Sequence, residues 1–399
     1  MSTIKSLRLH IGIVGQTNAG KSTLLNTITR QNVSIVSMHP GTTTDPVEKT
    51  MELKPFGPVL FIDTAGYEDH SLMGQSRQKK TDTYVDRFDI AILVVDGVSS
   101  LEADKRIAQK LRERKIPFCI CLANNSEVAL KKEWLHWMKE EQIPYFLNNL
   151  LTSYEEFLSG MMDCLQSIIP SDWDPTPTMI SDLTNPGDIV ILVIPVDKEA
   201  PKNRIILPQQ QAIRDLLDHS SITIVTGVSE LATVLDCCKK TPALVVTDSQ
   251  AFKEVFAIVP LHIPVTGFSI LLARMKGDLP IFVHGVQAIQ NLRSGDRVLI
   301  LEACSHNPVC NDIGREQIPK GILHLTKQNI EFDVYSGHDF PDNLTDYKLI
   351  IHCGGCILNR KEIQHRIKTA LHNNVPITNY GMVLSYLHGD LERALKILM

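Results

Sequence analysis

An apolar run at residues 10–14, His-Ile-Gly-Ile-Val, passes directly into Gly15-Gln-Thr-Asn-Ala-Gly20-Lys21-Ser22, and a helical pattern follows at 23–29. Few loops restrict a fold as tightly. G-x-x-x-x-G-K-S between a buried strand and a helix is a phosphate loop. Its small residues let successive backbone amides curl around an anion, and the helix N-terminus adds its positive end. On this reading Gly15, Asn18, Ala19, Gly20, Lys21, Ser22 and Thr23 surround the phosphates of a nucleotide. Lys21 reaches the β- and γ-phosphates, and the Ser22 hydroxyl binds Mg2+. Alternating apolar strands (59–62, 90–96, 118–123) and helical patterns (103–114, 131–141) extend this start into a mostly parallel, doubly wound sheet.

Further nucleotide signals arrive in order. The loop 41–45, Gly-Thr-Thr-Thr-Asp, offers Thr42 to the nucleotide and Thr43 to the metal. The strand ending at Asp63-Thr-Ala-Gly66 is an Asp-x-x-Gly signal. Asp63 would hold the metal through water, and the Gly66 amide would contact the γ-phosphate. Residues 8–170 resemble a group of GTPases that includes the tRNA-modification GTPase, Era and Der. The resemblance implies GTP/GDP as ligand, and Lys21, Thr43, Asp63 and Gly66 as the catalytic set. It also implies K+ held with the help of Asn18. Tyr67 follows Gly66 where small GTPases place a water-orienting glutamine. A monovalent cation would then supply the charge that an arginine finger supplies elsewhere. The base-reading motif departs from Asn-Lys-x-Asp: residues 124–127 read Asn-Asn-Ser-Glu. Asn124 and Glu127 remain the expected guanine contacts, with weaker base selectivity, and 145–149 lacks the expected Ser-Ala loop.

A length of 399 residues implies two to four domains. The net charge of −5 argues against a general nucleic-acid binder. The longest apolar runs, such as 189–194, are far short of a membrane span. Nine cysteines without a secretory signal point to the reducing cytoplasm, and to metal or redox chemistry before disulfides. Residues 170–188 carry four prolines and several turn formers, the composition of a linker. The expected division is a P-loop GTPase domain at 1–172, a linker at 173–188, a small α/β domain at 189–264 and a last α/β domain at 265–399. The middle unit has no catalytic constellation and is small enough to gain from self-association.

The last domain carries the rarest pattern. One apolar run ends in Cys304-Ser-His306, and a second, with 45 residues between His306 and His352, ends in His352-Cys353-Gly-Gly-Cys356. Any single cysteine would pass for core, since free cysteine is among the most buried residues. Three cysteines and two histidines at paired strand ends ask for a metal. If the two strands are parallel neighbours, the ligands converge beyond their carboxyl ends. Spacing alone leaves open a Cys3His zinc site or a [4Fe-4S] cluster with one open iron. Asn359 is the expected cap of a helix at 360–372. The loop 307–320 is expected to form a wall of the site, with Arg315 and Lys320 facing anionic ligands.

Taken over nearly its full length, the chain resembles HydF, the scaffold family of [FeFe]-hydrogenase maturation. The GTPase half, Asp197-Lys-Glu-Ala-Pro-Lys, Asp312-Ile-Gly-Arg-Glu-Gln-Ile-Pro and the cysteine pattern carry that resemblance. It implies a [4Fe-4S] cluster on Cys304, Cys353 and Cys356, with His352 or His306 as a labile fourth ligand. It implies a di-iron precursor as cargo, a homodimer built on the middle domain, radical-SAM maturases as partners and apo-[FeFe]-hydrogenase as recipient. Nucleotide state would gate partner exchange by ordering or releasing 42–44 and 66–76. An RNA-modification or ribosome-assembly GTPase with a structural zinc domain is the alternative.

Overall fold

The computed structural model describes residues 5–30, 46–64, 84–97, 100–123, 132–148, 153–171, 173–174, 177–195, 205–303, 312–337, 340–341 and 343–399. The chain divides into two compact units, Met1–Pro175 and Thr176–Met399.

The first unit is built on one six-stranded sheet. Its elements are β1 (Leu9–Gly15), α1 (Lys21–Thr29), β2 (Val47–Leu53), β3 (Gly57–Asp63), β4 (Ile90–Val95), α2 (Leu101–Glu113), β5 (Phe118–Leu122), α3 (Lys132–Glu140), β6 (Tyr145–Leu147) and α4 (Tyr154–Ile168). The strand order is β2-β3-β1-β4-β5-β6, and only β2 runs antiparallel to its neighbour. Strands β1, β4 and β5 are buried along their whole length. They read as unbroken apolar runs because helices cover both faces. Ile11, Ile13, Val94 and Leu24 pack on one face; Val14, Leu93, Val95 and Trp134 pack on the other. Each fully buried large apolar side chain contributes about 1.5–3 kcal/mol. Helix starts are chemically marked. Ser100 accepts from the Ala103 amide, and Ser153 forms a reciprocal capping box with Glu156.

The second unit holds two four-stranded parallel sheets. The first uses β7 (Ile189–Val193), α5 (Leu207–Asp218), β8 (Ile222–Thr226), α6 (Leu231–Cys237), β9 (Leu244–Thr247), α7 (Phe252–Ile258) and β10 (Val265–Gly267), in the strand order β10-β9-β7-β8. β10 pairs with β9 from Val265↔Val245 to Gly267↔Thr247. The middle sheet therefore continues past the 264 boundary expected from sequence. α8 (Phe268–Lys276) leaves β10 without a loop. α9 (Leu279–Val286) follows. Asp278 starts it by accepting from the Ile281 amide, and Pro280 sits in its first turn.

The last sheet is assembled from β11 (Arg297–Glu302), α10 (Ile318–Thr326), β12 (Glu331–Ser336), β13 (Leu349–His352), α11 (Arg360–His372), β14 (Ile377–Asn379), α12 (Tyr380–His388) and α13 (Leu391–Leu395). Its order is β12-β11-β13-β14, all parallel. The cysteine-bearing strands β11 and β13 are adjacent and parallel, as the convergence of their ends requires. One apolar core runs through both sheets of this unit, from Ile191, Val245 and Phe252 to Val298, Leu301, Ile350 and Met382. Among the described residues, no helix is long and apolar enough to cross a membrane.

Candidate functional site

The phosphate loop lies at the carboxyl end of β1. Gly20 adopts φ 96° immediately before α1, a conformation open to glycine at little cost. Asn18 also lies in the left-handed region, at φ 64°, which asparagine tolerates best among larger residues. Lys21 is 8% exposed and folds back on the loop. Its Nζ donates to the Gly15 carbonyl at 3.3 Å and the Gln16 carbonyl at 2.7 Å. Burial pushes its ammonium down to about 8, and the Asp63 carboxylate opposes that shift. Ser22 Oγ donates to Asp63 Oδ2 at 2.8 Å. The two residues expected on Mg2+ through hydroxyl and carboxylate are thus in contact, although 41 positions separate them. Thr23 sits in the first turn of α1, and Ala19 is buried beside the loop. Thr42, Thr43, Gly66, Asn124 and Glu127 lie outside the described residues.

The second site lies at the ends of β11 and β13, where Leu301 pairs with His352. Cys353 therefore follows the last paired residue. Its Sγ accepts from the Ala303 amide at 3.0 Å and from the Gly355 amide at 3.5 Å. Gly355 is at φ +60°, and a Cβ there would lie 2.7 Å from Ile363 Cδ1. The turn that aims its amide at sulfur therefore favours glycine. Cys356 packs against the apolar cluster that includes Phe268, Leu271 and Leu272. Burial pushes its thiol up, while the Lys276 ammonium pulls the other way. Asn359 caps α11 by accepting from the Glu362 amide at 3.0 Å, as expected.

Cys304, His306 and Cys310 lie outside the described residues, and no group of three metal ligands is assembled among the described ones. What is described fits an iron–sulfur cluster. Two thiols sit three positions apart, two amides point at one sulfur, and a buried ammonium stands beside them. Such N–H···S bonds and charges tune metal–thiolate centres.

His352, expected in the ligand set, is engaged elsewhere in this structure. It is 3% exposed, and both ring nitrogens are committed within the protein. Nδ1 donates to the Cys353 carbonyl at 2.6 Å, and Nε2 accepts from Arg366 Nη1 at 3.0 Å. Burial, then the Arg366 charge, pushes its pKa down to about 3. These two bonds tie the strand end to α11 through Arg366. The expectation for the 307–320 segment also changes. Arg315 pairs with the buried Glu302 at 2.9 Å, and Lys320 lies on α10 with its ammonium on Glu316 at 2.6 Å. Sequence reasoning missed Lys276 and Arg366. Lys276 looks like an ordinary helix-terminal cation, and nothing local to either residue marks its partner.

Three family models match in succession. Residues 10–125 match a 50S ribosome-binding GTPase, 179–277 the hydrogen maturase F dimerization domain, and 280–397 the hydrogen maturase F tetramerization domain. GTPase Der from Kosmotoga olearia is 38% identical over 131 residues, 31% of this chain and 29% of Der. The tRNA modification GTPase MnmE of Endomicrobium trichonymphae is 39% identical over 125 residues, 30% of this chain and 27% of MnmE. The chain thus spans under a third of the length of these curated relatives. Among solved structures, Era of Aquifex aeolicus bound to GDP.AlF4- aligns with a TM-score of 0.36 at 16% identity, covering 62% of this chain and 97% of that one. The G domain of the T. maritima FeoB iron transporter aligns with a TM-score of 0.31 at 22% identity, covering 41% and 99%.

Proposed function

This chain belongs to the hydrogen maturase F (HydF) family, and from that premise we propose that it is a GTP-hydrolysing scaffold that binds a [4Fe-4S] cluster and hands a di-iron precursor to apo-[FeFe]-hydrogenase. The observation that carries the metal half is the Ala303 amide on Cys353 Sγ. Ala303 is bonded to Cys304, and consecutive Cα atoms are about 3.8 Å apart. This supports reading Cys353 and Cys356, together with Cys304 next in sequence to Ala303, as the thiolates that would hold one cluster. The bound cluster supplies an iron whose fourth position can accept a second metal unit. Lys276, Gly355 and the strand-end amides orient and stabilise the thiolates. His306, or another group that is not cysteine, would be the labile fourth ligand in place of His352, whose two ring nitrogens are engaged within the protein.

In the GTPase domain, Lys21 releases the Gly15 and Gln16 carbonyls and turns to the β- and γ-phosphates. Ser22 and Asp63, hydrogen-bonded to each other here, would hold Mg2+, with Thr43 as its partner from the loop at 41–45. Thr42, Asn124 and Glu127 complete the nucleotide contacts, Gly66 senses the γ-phosphate, and Asn18 helps hold K+. Oligomers form through the middle and last domains, and the radical-SAM maturases and hydrogenase are the partners. Hydrolysis gates their exchange.

Anaerobic reconstitution tests the metal half. Iron, sulfide and EPR analysis should report one [4Fe-4S] cluster per chain, lost in Cys353→Ala. Stoichiometric zinc without a cluster would overturn it. For the nucleotide half, Lys21→Ala should abolish GTP hydrolysis, and GTP should outcompete ATP. Equal use of both nucleotides would remove the guanine assignment.

A further inference from the structure

Lys276 ends α8 and is 1% exposed. Its Nζ donates to three backbone carbonyls: Gly355 at 3.2 Å, Cys356 at 3.1 Å and Leu358 at 2.8 Å. An ammonium has three protons, so these bonds can take all of them, and all three fall on the turn that carries Cys356. Carbonyl dipoles solvate a cation without cancelling its charge. The acidic groups facing that charge are Cys356, Cys353 and Glu362. Arg366 also shares Glu362, at 3.1 Å.

The helix that presents Lys276 is fixed at both ends. At its start, Ser269 Oγ meets Ser249 Oγ at 2.6 Å, and Asn379 Nδ2 donates to the Ser269 carbonyl at 2.9 Å. At its end, Gln364 Nε2 donates to the Lys276 carbonyl at 3.3 Å and the Gly277 carbonyl at 2.8 Å. α8 continues directly from β10 and lies within the segment matching the dimerization domain. A residue of the middle domain thus reaches into the ligand turn of the last domain.

We infer that Lys276 is a positioning residue for the cysteine site, whose ammonium holds the turn at 355–358 and places a positive charge beside an anionic cluster on Cys353 and Cys356. This rests on the cluster reading above. One-electron reduction by dithionite would add one negative charge to the cluster, and a nearby cation favours the reduced state more than the oxidised one. Lys276 therefore stabilises the reduced cluster as well as shaping its turn.

The test separates charge from shape. Lys276→Gln keeps two N–H donors for the turn and removes the charge. Reconstituted anaerobically and titrated potentiometrically by EPR, it should load iron as the wild type does. Its ratio of reduced to oxidised cluster at a fixed potential should fall about tenfold, a midpoint lowered by about 59 mV for one electron. Lys276→Met removes both contributions and should also bind less iron. A Gln variant with the wild-type midpoint overturns the charge role; a Met variant with wild-type iron content overturns the shaping role. Pulsed EPR on wild-type protein labelled with nitrogen-15 lysine needs no variant to fold. It should detect a weak lysine coupling to the reduced cluster, and its absence overturns the proximity. A wild type that binds no cluster, or a Cys353→Ala that keeps one, defeats the cluster reading itself and is told apart by iron content alone.

Discussion

Arg366 serves three acceptors at once: His352 Nε2, the Gly337 carbonyl at 2.9 Å and Glu362 Oε1 at 3.1 Å. It is 3% exposed and Glu362 is 5% exposed. Removing one member of a buried ion pair strands the other charge at a cost of about 3–5 kcal/mol. Arg366→Ala should lose hydrogen-exchange protection in β13 and α11 by that margin, and unchanged protection would count against it. His10 makes a separate pH prediction in the GTPase domain. It is 2% exposed, and burial pushes its pKa down to about 4, against a weaker opposing bond to the Lys5 carbonyl. The unfolded chain titrates near 6.5. Between about 4 and 6.5 the unfolded state therefore binds a proton that the native state does not. Stability rises with pH across that window, by up to about 1.4 kcal/mol per unit, and the His10 contribution is complete above it. Trp134, Trp137 and Trp173 all lie in the first unit, so tryptophan fluorescence follows its unfolding. His10→Gln keeps a donor for the Lys5 carbonyl and should flatten the shift in urea midpoint between pH 5 and 7; parallel shifts in both proteins would refute the assignment.

Where α9 lies against β14 there is no room for a side chain. A Cβ on Gly285 would stand 1.9 Å from the Ile377 carbonyl oxygen. Thr378 Oγ1 also donates to the Phe282 carbonyl at 2.9 Å, so the helix and strand are bonded backbone to side chain at the same place. Backbone cannot rotate away as a side chain can. Gly285→Ala should therefore destabilise the second unit toward or beyond the upper end of the usual 1–3 kcal/mol for overpacking. Urea denaturation followed by far-UV circular dichroism would show a lowered midpoint for that unit; an unchanged one would mean the helix shifts freely. This contact also shows where sequence reading stops. The phosphate loop was legible because strand, small-residue loop and helix are consecutive. Asn359 was legible as a cap because its acceptor geometry involves only the next three residues. Lys276 was not, since its three partners lie 79 to 82 positions away. His352 was expected as a ligand because spacing alone could not show the guanidinium 14 residues on, brought over it by α11. β10 was missed as part of the middle sheet because a three-residue strand carries almost no periodicity, and only its pairing with β9 defines it.

At the scale of the whole molecule, the middle sheet ends, among the described residues, in the edge strand β8. β8 lies at the end of the order β10-β9-β7-β8, and its Ile222 and Val225 are 52% and 47% exposed. Leu217, at the end of the preceding helix, is 56% exposed. An edge strand with apolar side chains is a template for pairing with another chain, and proteins that stay monomeric usually blunt such edges with charge or proline. No charged residue or proline occurs in β8, which reads Ile-Thr-Ile-Val-Thr. Together with the match to a dimerization domain over 179–277, this makes β8 the expected pairing edge between two copies. Ile222→Lys with Val225→Lys places two cations there without touching the buried Val190–Val193 strand inside it. Light scattering after gel filtration should then report a mass reduced by half or more, with native circular dichroism retained. Iron loading should persist, because no ligand of the cysteine site lies on β8. A double variant that keeps the wild-type mass would move the interface elsewhere; one that loses iron with its oligomeric state would instead mean that the cluster site is completed only in the assembly.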